Sequence, residues 1–271
     1  MPHDITFAAR FRRLLELKPL DRPRAKDLVC TDGTVRFEHV YFGYGKINVL
    51  EDFNLSIASG TKVAILGPTG VRKSTIFDLL LQRSLPAKGR IFIDGQHLSG
   101  LEIASGQVGI VDQPGRLLNR SILNNLLLAK PGATLDEVRN VCRKVQIDEE
   151  IMQRPGGYDS PAGADGKNFS GGQKQKLLIA RLLLQLPRIA LIDEGTSALD
   201  VEVERAVKKI IDTAFSGRTV IFIAHRLSTV KNVDRIILLG ENGKVLEDGT
   251  HEELLAKRGQ YWRLWQHHRG K

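Results

Sequence analysis

Three short stretches hold the residues most able to do chemistry. Residues 67–75 read GPTGVRKST. A Gly-rich loop that leaves a strand and opens a helix can cradle phosphates with its backbone N–H groups, reach the outer phosphates with its lysine and offer a hydroxyl to magnesium. Gly67, Pro68, Thr69, Gly70, Val71, Arg72, Lys73, Ser74 and Thr75 are therefore the candidate phosphate loop, with Lys73 as its charge and Ser74 as a metal ligand. Residues 189–194, IALIDE, are an apolar run ending in two acids. Such acids divide the work of a nucleotide-hydrolysing site, Asp193 holding magnesium through water and Glu194 polarising or deprotonating the attacking water. Between these stretches lies FSGGQ at 169–173, where a serine precedes a helix as an N-cap does.

The elements that must position these residues follow from periodicity. Alternating VRFEHVYF (35–42) and NLSIAS (54–59) predict paired antiparallel strands, whereas KVAILG (62–67) is a continuous apolar run of the kind buried in a parallel sheet. Ser74 to Gln82 is expected as a helix, RIFID (90–94) and QVGIVD (107–112) as strands. From 120 to 153 the texture is helical, with Thr134 and Glu137 spaced as a capping box. A strongly apolar helix over 173–186 precedes the strands IALID (189–193) and TVIFIA (219–224), which flank a helix over roughly 201–214. RIILL, KVLEDG and a C-terminal helix from about Glu252 complete the pattern. Strands alternating with helices imply an α/β fold with a mostly parallel sheet and helices on both faces. At the N-terminus, Phe7, Phe11, Leu14 and Leu15 put an apolar stripe on a helix over 5–17. Pro19 and Pro23 then mark a linker from about 18 to 30.

With 271 residues, 42% of them hydrophobic, the chain can build one large α/β domain or two small ones. The most apolar stretch, LLIARLLLQL (177–186), is too short to cross a bilayer about 30 Å thick, and the first residues carry no apolar segment of a secretory signal. Cys30 and Cys142 share no metal or redox spacing and read as ordinary thiols. The net charge of +9 sits mainly at the ends: residues 1–30 carry seven Lys/Arg against four acids, and 251–271 five against two. That is the charge of a soluble surface, or of a tail beside an anionic membrane face, and no nucleic acid is expected as a partner.

GPTGVRKST, FSGGQKQ and IALIDEGTSALD, in this order, resemble the nucleotide-binding domain of ABC transporters, and the resemblance runs from about residue 33 to 266. It implies a P-loop NTPase core, an antiparallel β subdomain and an α-helical subdomain at about 114–180, the ATPase domain covering 31–271. ATP and Mg2+ are the implied ligands. By the same resemblance Ser170, Gly171, Gly172 and Gln173 reach the γ-phosphate of an ATP held by a second such domain in a head-to-tail dimer, with Asp200 of SALD at the seam. His225 contacts the γ-phosphate and orients Glu194, Gln113 senses magnesium and couples to a transmembrane domain, and Tyr44 of VYFGYG stacks on adenine. Pro114 stands where an acid commonly follows that glutamine. GADG (163–166) and the C-terminal GTHEELLAKRGQYWRLWQ resemble exporters in particular, and residues 1–30 resemble the tether to a transmembrane domain of the same or a separate chain. The implied location is the cytoplasmic face of a membrane, bacterial or, if mitochondrial, facing the matrix.

One position departs from the pattern, which asks for glycine before the lysine and finds Arg72. If φ is positive there, the Cβ costs roughly 1–2 kcal/mol, about an order of magnitude in ATP affinity; a guanidinium on phosphate oxygens would recover part of it. An engineered change, a naturally weakened site and a tolerant loop all remain as accounts. The sequence thus predicts an ATP-hydrolysing exporter domain of reduced nucleotide affinity, its rival being the catalytically weak regulatory half of a heterodimer. A soluble cassette ATPase acting on nucleic acid or ribosomes is a second rival that the basic charge permits. The transported substrate is not written in this chain.

Overall fold

The computed structural model describes residues 26–269 apart from 46, 69, 105, 113–114, 194–200 and 225–229. The first element, β1 (Lys26–Leu28), falls inside the stretch read as linker: it pairs in parallel with β7 (Leu101–Ile103) and buries Leu28. Part of the expected linker therefore belongs to the folded domain. The expected amphipathic helix over 5–17 lies outside the described residues.

β2 (Val35–Tyr44) and β3 (Ile47–Ile57) form the antiparallel hairpin that alternation predicts. β4 (Lys62–Leu66) leads to α1 (Ser74–Leu80), followed by β5 (Lys88–Ile93), β6 (Gln96–His97) and β8 (Val108–Val111). Helices α2 (Ile122–Leu127), α3 (Leu135–Lys144), α4 (Asp148–Met152) and α5 (Gly171–Gln185) come next. Thr134 caps α3 with the predicted box, its hydroxyl accepting from the Glu137 N–H while Glu137 accepts from the Thr134 N–H. The chain closes with β9 (Ile189–Asp193), α6 (Val201–Ala214), β10 (Thr219–Ile223), β11 (Arg235–Leu239), β12 (Val245–Gly249), α7 (His251–Lys257) and α8 (Gln260–Arg269).

The six-stranded sheet runs β12-β11-β4-β10-β9-β8 and is parallel except for β12; the antiparallel sheet runs β3-β2-β5-β6. The mixed α/β architecture agrees with the sequence reading. Parallel strands covered on both faces need apolar side chains throughout, which is why KVAIL, IALID and TVIFI carry almost no polar residue. Their alternate residues feed two cores. Val63, Ile65, Leu191 and Ile221 face α1 and the antiparallel sheet, with Ile76, Phe77, Phe37 and Phe53. Ala64, Leu66, Ile192 and Phe222 face α5 and α6, with Leu177, Leu182, Val207 and Ile211. Both cysteines are buried, and burial pushes their thiols up, to about 12 at Cys30 and about 11 at Cys142, as befits packing residues. Among the described residues no helix is long and apolar enough to cross a membrane.

Candidate functional site

The parallel strands end level with one another. Ile223 is paired with both Ile65 and Asp193, and Val111 with Ile192. In open α/β sheets ligands bind beyond this carboxyl edge, and two of the three stretches singled out from the sequence follow one of these strands, whereas FSGGQ follows the helical region and opens α5. β4 delivers the phosphate loop, β9 delivers Asp193, and β8 and β10 precede Gln113 and His225. Gln113, Glu194, Asp200 and His225 lie outside the described residues, as does Thr69 of the loop.

Within the loop, Gly67 passes so close to β11 that a Cβ would sit 2.6 Å from the Leu239 carbonyl oxygen. Lys73 is 5% exposed, and its Nζ donates to the Gly67 carbonyl at 2.9 Å and the Pro68 carbonyl at 3.1 Å. The ammonium is thereby held inside the bend the loop makes. Ser74 opens α1, and its hydroxyl donates to Asp193 Oδ2 at 2.6 Å. Thr75 is buried below them, its N–H donating to the Arg72 carbonyl at 3.0 Å. A positive charge, a hydroxyl and a carboxylate thus meet at a helix N-terminus, where anions are favoured.

Arg72 has φ of 54°, in the left-handed region, so the condition under which its Cβ carries a cost is met. Val71 packs against the core, while Arg72 is exposed and its Cζ lies 5.0 Å from the centroid of the Tyr44 ring. Tyr44 ends β2 opposite Ile47, and its ring meets that of Phe42 edge-on at 4.9 Å. Neighbouring Gly43 leaves room for this hairpin tip, since a Cβ there would lie 2.5 Å from the Ile47 carbonyl oxygen.

Ser170 caps α5 in a second capping box: its hydroxyl accepts from the Gln173 N–H at 3.2 Å, and Gln173 Oε1 accepts from the Ser170 N–H at 3.0 Å. Gly171 and Gly172 form the first turn, so their N–H groups lie at the positive end of the helix. Three residues that the sequence reading did not single out support this end. Gln173 Nε2 donates to Glu150 at 2.6 Å, and so does Lys176 at 2.9 Å. Arg154 donates to the Asn168 carbonyl at 3.0 Å and to Gln173 Oε1 at 3.4 Å, and its guanidinium lies 4.0 Å from the Phe169 ring centroid. Burial works against the Glu150 carboxylate, yet Lys176 and Gln173 hold it below the usual range. Glu150 and Arg154 lie 23 and 19 positions before Gln173, a separation no local pattern reveals.

A groove of about 580 Å3 lies between β8 and the helices α2 and α5, lined by Arg83, Asp112, Arg116, Leu128, Leu178 and Arg181. Arg83 donates to Asp112 with both terminal nitrogens at 3.2 Å, at the point where the chain enters Gln113.

The family described as ABC transporter matches residues 50–197. The heavy metal tolerance protein of Schizosaccharomyces pombe is 40% identical over 271 residues, covering 98% of this chain and 32% of its own length. The beta-(1→2)glucan export ATP-binding/permease protein NdvA of Bradyrhizobium diazoefficiens is 43% identical over 247 residues, covering 90% of this chain and 41% of its own. A solved structure of a bacterial Atm1-family ABC exporter with ATP bound superposes with a TM-score of 0.89 at 37% identity, covering 97% of this chain and 47% of the other. The chain spans less than half the length of these relatives.

Proposed function

The chain belongs to the ABC transporter family, as a nucleotide-binding domain of the exporter kind, and from that premise we propose that it binds and hydrolyses ATP to power export across a membrane. The observation that carries this reading is the junction of β4, α1 and β9, where Lys73 lies in the loop and Ser74 meets Asp193.

The site suits magnesium as well as phosphate. The Ser74 hydroxyl and Asp193 carboxylate are hard oxygen donors side by side, the kind magnesium selects. Ser74, Asp193 and Gln113 would hold it, and it would neutralise charge on the outer phosphates. The Lys73 ammonium exchanges its two carbonyl partners for phosphate oxygens, and the loop N–H groups fix the triphosphate. Tyr44 stacks on adenine. Glu194 takes a proton from water as the water oxygen bonds to the γ-phosphorus and the bond to the ADP oxygen breaks. His225 orients Glu194 and the water. Ser170, Gly171 and Gly172 of a second domain, with Gln173 holding their helix end, approach the same γ-phosphate across a head-to-tail dimer in which Asp200 lies at the seam. The helices around 114–180 carry the Ser170 end of α5, the signature end, and the groove beside Asp112 receives a transmembrane domain, with residues 1–30 as its tether. The location that follows is the cytoplasmic face of a membrane, or the matrix face of a mitochondrial one.

A second reading is favoured by one observation. Arg72 holds a left-handed backbone where the loop pattern asks for glycine, and a loop departing from the pattern at this point is what the regulatory half of a heterodimer, whose FSGGQ serves its partner's site, would carry. Steady-state hydrolysis by the chain and by Glu194→Gln, each with ATP binding measured, separates the two. Turnover in the parent and none in the glutamine form, which should accumulate as an ATP-bound dimer, supports the active reading. Binding without turnover in both supports the regulatory half.

A further inference from the structure

Two observations at the mouth of the phosphate loop converge on Arg72. Its left-handed φ of 54° turns the backbone so that Val71 packs inward while the Arg72 side chain stands outside the core. Its guanidinium then lies over the face of Tyr44 at 5.0 Å. The ring is braced, because Phe42 meets it edge-on and itself packs against the core. Tyr44 remains 39% exposed.

The geometry points to Arg72 as a competitor of the nucleotide's base for Tyr44: the guanidinium caps the ring in the ligand-free chain and must leave before a base stacks there. The inference rests on the reading of Tyr44 as the adenine platform. A guanidinium and a purine are both flat groups that seek an aromatic face, and one ring face holds only one of them in contact. The triphosphate meets no such competition, since Lys73 and the loop N–H groups receive it. Through Tyr44, Arg72 therefore lowers the base's share of the affinity, separately from any effect of its backbone on the phosphates, which cancels in a double-mutant cycle. It acts as a specificity residue, one that reduces discrimination between a nucleotide and a bare polyphosphate.

A double-mutant cycle tests this. ATP–Mg and magnesium tripolyphosphate are titrated calorimetrically into the parent chain, Arg72→Gly, Tyr44→Ala and the double variant. An exposed cation–π contact corresponds to about two- to fivefold in an equilibrium constant. Tyr44→Ala should therefore weaken ATP in the Arg72→Gly background, and weaken it about two- to fivefold less in the parent. Tripolyphosphate should be indifferent to Tyr44 in both. Equal losses of ATP affinity in the two backgrounds would overturn the capping role and leave the platform reading standing. A larger loss in the parent would also overturn it, because Arg72 and Tyr44 would then clamp the base together. No loss in the Arg72→Gly background would remove the platform reading and the inference with it. Tyr44→Leu, which keeps bulk beside Phe42 without an aromatic face, repeats the cycle if alanine disturbs the hairpin by circular dichroism.

Discussion

Ser74 Oγ and Asp193 Oδ2 lie 2.6 Å apart across 119 positions of sequence, joining the first residue of α1 to the last of β9. This bond ties the candidate phosphate loop to the end of the neighbouring strand β9. Ser74→Ala removes it together with one oxygen ligand for magnesium. Both groups are accessible to water, so the expected loss of stability is within about 1 kcal/mol. ATP affinity in the presence of magnesium should fall toward the value measured in chelator, where the variant and the parent should agree. A variant that retains the full magnesium effect on ATP titrations would show that Ser74 is not a ligand.

Lys73→Ala should act on phosphate rather than on folding. The ammonium now satisfies two carbonyls, but its charge-assisted bonds to phosphate oxygens are the stronger ones. A loss of at least about 2 kcal/mol, about thirtyfold in ATP affinity, is expected. A fluorescent ATP analogue bound as tightly by the variant as by the parent would displace the loop from the site.

Arg154→Leu should separate loading from turnover. It removes two hydrogen bonds and the contact with Phe169 at the signature end while leaving the Lys73 loop intact. ATP affinity should be unchanged, and hydrolysis should fall about five- to thirtyfold, the equivalent of about 1–2 kcal/mol. Arg154→Lys, able to keep a charge over the ring but no fork, should recover only part of it. Unchanged turnover in the leucine form would make Arg154 a packing residue only.

Asp94 supplies a pH dependence. Its carboxylate accepts the N–H groups of Thr31, Asp32, Gly33 and Thr34 at 2.7–3.1 Å and the Thr34 hydroxyl at 3.0 Å. Burial alone would raise its pKa, but the bonds from Gly33, Thr34 and Thr31 prevail and bring it to about 2. A carboxyl depressed in the folded state stabilises above its unfolded pKa of about 4, and that contribution disappears as pH falls through about 2. Because the site is partly solvated, about 1 kcal/mol is at stake. Asp94→Asn should be less stable than the parent by that amount in denaturant titrations at neutral pH, and the difference should close as pH falls from about 4 to about 2. A gap that does not change with pH would mean the carboxylate charge is not what holds residues 31–34.

Much of this organisation was legible in the sequence because it is local. KVAIL, IALID and TVIFI declare buried parallel strands by having nowhere to place a polar residue, and Thr134 with Glu137 declares its own cap. The loop pattern that asks for glycine raised positive φ at Arg72 as a condition, and the backbone there meets it. What escaped was non-local. β1 hides among charges after Pro23 because its partner, Leu101–Ile103, lies far along the chain. Glu150 meets Gln173 and Lys176, and Arg154 meets Gln173, only once the fold brings residues 150–154 to the start of α5. The stack of Arg72 on Tyr44 joins a loop to a hairpin tip, and nothing in the spacing of either announces it.

The two cores on opposite faces of the parallel sheet separate the candidate phosphate loop from the Ser170 end of α5. α1, which carries the phosphate loop, answers to the core shared with the antiparallel sheet, whereas α5, which carries Ser170, answers to the core shared with α6. Domains open in cooperative pieces that follow such packing. On the proposed function, the Ser170 end of α5 can therefore loosen on its own core while the Lys73 loop keeps its shape on the other, so a triphosphate bound there would stay held as the far end moves.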